Sequence, residues 1–207
     1  MRVSDGMDAT ALLALMQTRR SVRRYSERPV SQTALGRLFE AARWAPSAHN
    51  RQPWRFAALV EPEPRLRLAE AMGARFRRDL LADGLAPDEV ERQVARSVAR
   101  IGGAPAVIVV FLSMADMNRY PDVRRQSLER EMAAQSVALA VQNMLLMAHA
   151  QGLGMCWMCA PLFCPDVVRE TLGLPPDWEA QALLTVGYPA EARSKDRAPL
   201  EAKVRWF

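Results

Sequence analysis

The run from Val123 to Ala150 limits what this chain can fold into more than any other stretch. It reads as the longest helix, and its two halves differ. The first half carries Arg124, Arg125, Glu129, Arg130 and Glu131. The second half, Val137 to Ala148, is apolar nearly all round, interrupted by Gln142 and Asn143 and followed by His149. A helix that is apolar on every side must be enclosed by a core or by a partner chain. Ala138, Ala140 and Ala148 leave room for another helix to approach closely. The stretch is therefore expected to be the spine of the fold and a contact between two copies. Gln142 and Asn143 need hydrogen-bond partners if they are buried.

The remaining elements can be placed around that spine. A first helix, Met7 to Gln17, is capped by Asp8 and carries an apolar stripe of Leu12, Leu13, Leu15 and Met16. Ser31 caps a second, Gln32 to Arg43, whose buried face is Leu35, Leu38, Phe39 and Ala42. Trp54 to Val60 follows as a strand. Glu61-Pro-Glu-Pro64 opens a helix to about Leu81, and Pro87 opens another to Ile101; both have charged outer faces. Ala106 to Leu112 is continuously apolar and suits a central strand buried on both faces. Ser113 to Tyr120 is a loop. Gln151-Gly-Leu-Gly154 breaks the long helix, and Met155 to Phe163 forms a strand and turn. Cys164 to Leu172 is a short helix, and Glu179 to Tyr188 an apolar strand. Beyond Pro189 a polar linker leads to Val204-Arg-Trp-Phe207, an aromatic end that suits docking on a neighbouring subunit. The expected organisation is one domain over 1–207, with 189–207 as a C-terminal arm.

Charge and motifs exclude several functions. The chain has 207 residues and a formal charge of +5, but its arginines run from Arg2 to Arg205 without a recognition helix or zinc finger. A solvated surface with one or two anion sites accounts for that better than nucleic acid does. No apolar run approaches the roughly 18 residues of a membrane span, and the N-terminus lacks a signal-peptide core. A cytoplasmic protein is expected, in keeping with three cysteines in a reducing compartment. Cys156, Cys159 and Cys164 lack a fourth zinc ligand other than His149, and they read as buried, inert thiols rather than a metal centre. There is no Gly-x-Ser-x-Gly elbow, phosphate loop or Gly-x-Gly-x-x-Gly fingerprint. What is left suits a protein whose bound cofactor performs the reaction.

Two polar clusters stand out. Arg19, Arg20, Arg23 and Arg24 place four guanidinium groups in six residues, with Ser21 among them. Such forks match phosphate oxygens; they equally suit a helix C-terminus, where cations are favoured. The second is Trp44-Ala-Pro-Ser-Ala-His-Asn-Arg-Gln-Pro-Trp-Arg-Phe56. Pro46 and Pro53 stiffen this loop. Between them Ser47, His49, Asn50 and Gln52 offer hydrogen bonds, and Trp44 and Trp54 bracket the set. The loop reads as the rim of a site for a flat, heteroatom-rich ligand, or as a solvated helix-to-strand connection.

Three separated stretches, in order, resemble the nitroreductase family of flavin proteins. They are Arg19-Arg-Ser-Val-Arg23; Ala45-Pro-Ser-Ala-His-Asn-Arg-Gln-Pro-Trp54; and Gln151 to Gly154 with Cys159-Ala-Pro-Leu162, continued by Gly187-Tyr-Pro189 and Lys195-Asp-Arg197. Trp157 to Phe163 and Ala48-His-Asn50 are most similar to the reductase-like domains related to glutamyl ligases of the deazaflavin coenzyme. The resemblance implies an α+β fold with a mixed sheet flanked by helices, and an intertwined homodimer with an exchanged C-terminal arm. It implies FMN at the subunit interface and NAD(P)H as electron donor. Arg19, Arg20, Ser21 and Arg23, with Lys195 and Arg197, would hold the phosphate and ribityl end. Pro46, Ser47 and Ala48 would line the ring from the other subunit, and Asn50 and Gln52 would bond its heteroatoms. Cys159, Ala160, Pro161 and Leu162 would lie against the other face. Ser47 and Tyr120 are candidates for a proton relay or substrate contact. The family often has Lys where this chain has Arg23. Three other activities remain open on the same fold: fragmentation of the flavin to dimethylbenzimidazole, reductive dehalogenation, and flavin or deazaflavin binding without turnover.

Overall fold

The computed structural model describes residues 8–192 and 194–207. Its elements, in chain order, are α1 (Ala9–Thr18), α2 (Gln32–Arg43), β1 (Trp54–Leu59), α3 (Pro62–Ala82), α4 (Pro87–Gly102), β2 (Ala106–Leu112), α5 (Val123–Ala150), β3 (Gly154–Met158), α6 (Pro165–Leu172) and β4 (Glu179–Gly187).

α5 begins where Asp122 accepts the Arg125 N–H at 2.9 Å. It stops at Gly152, whose φ of 74° lets Leu153 N–H return to the Ala148 carbonyl. Val137, Ala140, Val141, Met144, Leu145 and Ala148 form its buried face, which packs on α2 and the sheet. The opposite face stays outside. Leu128, Gln135, Leu139 and Gln142 are exposed along one stripe, Leu139 by 45%. One chain alone therefore encloses half of the spine. Asn143 finds its expected partner, donating to the Ala41 carbonyl at 3.0 Å, while Gln142 points outward.

The sheet order is β1-β2-β4-β3, and every strand pairing is antiparallel. A parallel component enters through the isolated bridge between Ser21 and Met155 on the outer side of β3. β2 is buried throughout, as its composition demands. Ala106, Ile108, Val110 and Leu112 face the α2–α5 layer; Val107, Val109 and Phe111 face the layer containing α3 and α6. Each such large side chain contributes about 1.5–3 kcal/mol on leaving water. The outer edge of β1 has no strand partner among the described residues.

Two expectations change. α1 is capped by Asp8, which accepts the Thr10 N–H at 2.8 Å, but it buries no residue. Leu12, Leu13 and Met16 stay exposed because nothing among the described residues covers them. Burial of all three thiols also fails: Cys156 and Cys164 are buried, but Cys159 is exposed.

Candidate functional site

The arginine segment lies on the sheet because two glycines let it. Gly154 and Gly187 are paired across β3 and β4. A Cβ at Gly154 would fall 2.7 Å from Val22, and one at Gly187 would fall 2.8 Å from the Tyr25 ring. Without side chains at those two points, residues 21–25 settle against the end of the sheet. Val22 N–H donates to the Met155 carbonyl at 3.0 Å, and Ser26 N–H to Tyr188 at 2.9 Å. Tyr25 hydroxyl donates to the Val22 carbonyl at 2.6 Å. Glu191 then accepts the N–H groups of Arg23 (2.8 Å) and Arg24 (3.3 Å). These bonds carry the chain back over the segment after β4 ends.

The result is a pocket of about 650 Å³ lined by Arg19, Arg20, Ser21, Arg23, Ala192, Ser194, Lys195 and Arg197. Several arginines elsewhere are paired: Arg55 meets Asp116 at 2.7 Å, and Arg77 meets Glu91 at 2.7 Å. Among the described residues none of the pocket's five cations is in an ion pair. Arg20 turns one nitrogen to the Gln17 and Arg19 carbonyls and leaves its buried Nε without a partner. Burial, then Arg197 and Arg20, lower the pKa of Arg19. Positive charge is concentrated there, with the Glu191 carboxylate beside it on the Arg23 and Arg24 N–H groups, and the excess of cations suits a multiply charged anion.

A second pocket of about 220 Å³ shares Arg19, Arg20 and Ala192 with the first and runs inward past Leu145, His149, Leu153, Gly154 and Met155. His149 had no assigned role in the sequence. The Thr18 hydroxyl donates to the Ala14 carbonyl at 2.7 Å and lies within hydrogen-bond reach of the imidazole Nε2 at 2.9 Å. Burial first, then Arg19 and Arg20, lower its pKa. No local pattern marks this role, because it arises where the ends of α1 and α5 meet.

β3 links the arginines to the turn at Cys159, Ala160, Pro161 and Leu162. Met155 bridges Ser21, and four extended residues carry the chain roughly 13 Å further to Cys159. Pro161 is buried, while Leu162 and Phe163 are exposed. Trp157 Nε1–H donates to Cys159 Sγ at 3.2 Å. Cys164 lies behind the turn, where burial pushes its thiol up to about 11.

The rim loop is built differently. Asn50 N–H bonds the Ser47 carbonyl at 3.0 Å, Gln52 N–H bonds Ser47 Oγ at 3.0 Å, and Ala48 N–H bonds Ser136 Oγ on α5 at 3.1 Å. These contacts hold His49, Asn50 and Gln52 at φ of 54°, 54° and 51°. Three non-glycine residues in the left-handed region within four positions store strain of about 1 kcal/mol or more each. The two indoles do not bracket the loop equally. Trp54 is buried in the core, whereas Trp44 is 74% exposed and donates its N–H to Glu40 at 2.8 Å.

Within one chain the rim loop and the arginine pocket do not meet. The loop is tied to Ser136 and the pocket to His149, thirteen residues apart on α5, or roughly 20 Å along the helix. Tyr120 joins neither: it lines a separate pocket with Met114, Val123 and Gln126, and its N–H bonds Gln126 at 2.9 Å.

The sequence model of the Nitroreductase family matches residues 16–188, a span containing the arginine segment, the rim loop and the turn after β3. The chain belongs to the nitroreductase family. Among its relatives in this family, the chain is 32% identical to a protein of Thermus thermophilus described as NADH dehydrogenase, over 91% of this chain and 92% of that one. It is 31% identical to the 5,6-dimethylbenzimidazole synthase of Rhodospirillum rubrum, over 90% of this chain and 83% of that one. A crystallised protein of Desulfovibrio desulfuricans, described as a nitroreductase in complex with FMN, superposes with a TM-score of 0.72 at 28% identity, covering 96% of each chain.

Proposed function

We propose that this nitroreductase-family chain is the subunit of an FMN-dependent homodimeric oxidoreductase of the cytoplasm, using NAD(P)H to reduce a quinone, nitroaromatic or similar small acceptor. The observation that carries this reading is the pocket of five cations whose side chains form no ion pair among the described residues, with an orphaned Arg20 Nε among them. Bound FMN would supply the two-electron relay, taking hydride at N5 from the nicotinamide and yielding it to the acceptor in ping-pong order.

The chain's own residues hold and orient. Arg19, Arg20, Ser21, Arg23, Lys195 and Arg197 grip the phosphate end. Cys159, Ala160, Pro161 and Leu162 back one ring face, in line with the phosphate along β3. Pro46, Ser47, Ala48, Asn50 and Gln52 come from the partner subunit, because the same residues in one chain sit some 20 Å away along α5. No side-chain acid or base is required for hydride transfer, and Ser47 is the available hydroxyl at the rim.

The dimer is supported by surfaces that one chain leaves bare. Leu128 and Leu139 on α5, Leu12, Leu13 and Met16 on α1, and Trp206 and Phe207 at the C-terminus are all exposed. A groove along the open edge of β1, lined by Phe39, Trp54 and Phe56, suits the arm of the second copy.

The 31% identity to the Rhodospirillum rubrum synthase favours a second reading, in which FMN is a substrate cleaved with oxygen to dimethylbenzimidazole. The visible spectrum separates the two. A yellow protein that NAD(P)H bleaches, and that a quinone or nitroarene recolours with the FMN intact, supports the oxidoreductase. Oxygen-dependent loss of FMN with appearance of dimethylbenzimidazole supports the synthase. A protein that binds FMN but never bleaches is a carrier.

A further inference from the structure

Three polar side chains stand in one row of α5 at seven-residue spacing: Glu129, Ser136 and Asn143. Each holds a point on the segment between the end of α2 and the rim. Asn143 takes the Ala41 carbonyl, Ser136 takes the Ala48 N–H, and Glu129 faces His49. Ser136 and Asn143 are neutral, but Glu129 brings a charge that burial makes expensive. Its carboxylate is fully buried. Oε1 accepts the Asn118 N–H at 3.0 Å. Oε2 has no hydrogen-bond partner and lies 3.9 Å from His49 Nε2. A buried carboxylate is tolerated when a cation or donors answer it. The imidazole is the side chain placed to do so, and it sits on the left-handed turn whose strain needs an external restraint. Asn118 ties the same corner, since its Oδ1 also receives Arg51 at 3.1 Å.

We propose that Glu129 is a positioning residue acting through His49: the contact between the buried carboxylate and the imidazole holds His49, Asn50 and Gln52 in the left-handed conformation that presents Asn50 and Gln52 to the bound ring. What the loop is presented to rests on the FMN reading; the latch itself does not.

Amide hydrogen exchange of residues 46–52 in flavin-free protein tests the latch directly. Glu129→Gln keeps the shape and the Asn118 bond but removes the charge, and His49→Gln removes the imidazole. Each is expected to speed exchange across the loop about ten-fold, as loss of one charge-assisted contact would. The double variant should be no faster than either single one. His49→Lys, which places a cation opposite the carboxylate, should restore slow exchange. In the FMN-loaded protein Glu129→Gln should shift the flavin absorption band and lower kcat for NAD(P)H oxidation more than it raises KM. Exchange at wild-type rates in Glu129→Gln, or independent and additive effects of the two single variants, would overturn the proposal. Exchange elsewhere in the chain reports whether a variant is folded. If the wild type takes up no FMN, the functional reading fails while the exchange result still decides the latch.

Discussion

The guanidinium of Arg197 lies close enough to Arg19, 178 residues earlier in the chain, to lower its affinity for a proton. Like charges brought together without a counter-ion oppose folding and favour anion binding. Opposite signs follow for the two properties. Arg197→Ala should leave flavin-free protein at least as stable to denaturant as the wild type. Arg197→Ala and Arg20→Ala should each weaken FMN roughly ten- to a hundred-fold, the worth of a charge-assisted hydrogen bond. Titration of apoprotein by flavin fluorescence quenching measures this, and the wild-type affinity should fall as salt rises.

Gly154 and Gly187 admit the arginine segment by having no side chain. Gly154→Ala should cost about 1–3 kcal/mol, the usual penalty for overpacking. Its Cβ would meet Val22 at 2.7 Å, so Val22→Ala in the same chain should recover part of the loss. Urea midpoints of the two variants and the pair check this.

His149 gives a pH dependence with a definite sign. Its pKa falls below the ordinary 6.5 on folding, so the unfolded chain binds more protons as pH drops through that value. The flavin-free protein should lose stability from about pH 6.5 downward and regain it on return to neutral pH. His149→Gln should flatten that slope. A bound phosphate would offset Arg19 and Arg20 and raise the imidazole's pKa, so FMN should bind more tightly below 6.5 than above it. Thermal melts and FMN titrations across that range report both.

Leu139 is exposed in the middle of the outer α5 stripe. Leu139→Asp should leave the fold of one chain intact and weaken self-association by about 2 kcal/mol or more, as expected for a central apolar contact. FMN affinity should fall with it. Light scattering against concentration, with flavin retention in parallel, gives the readout.

How much of this was legible in the sequence depends on whether the signal is local. The limits of α5, the caps Asp8 and Ser31, and the double burial of β2 follow from periodicity and capping chemistry within a few residues. The gathering of Arg19, Arg20, Ser21 and Arg23 with Lys195 and Arg197 was suggested by motif order, and one pocket now contains them. What could not be read is set by tertiary neighbours. The α1 stripe looks like core, yet lies bare because nothing among the described residues covers it. Cys159 lies just past the end of β3, in the turn, and is exposed there. Glu129 looked like surface charge on a helix, and its burial is dictated by the 113–120 loop folding over it. The left-handed run at His49, Asn50 and Gln52 carries no glycine to announce it.

The central claim is an FMN phosphate held by one chain's arginines while another chain's rim loop covers the ring. Sedimentation of purified protein, followed at both the protein and the flavin absorption bands, tests this most directly. The flavin should travel with a species of twice the chain mass, at one FMN per chain, and Leu139→Asp should release flavin and halve the mass together. Flavin sedimenting with a single chain, or a protein that stays colourless in excess FMN, would contradict it.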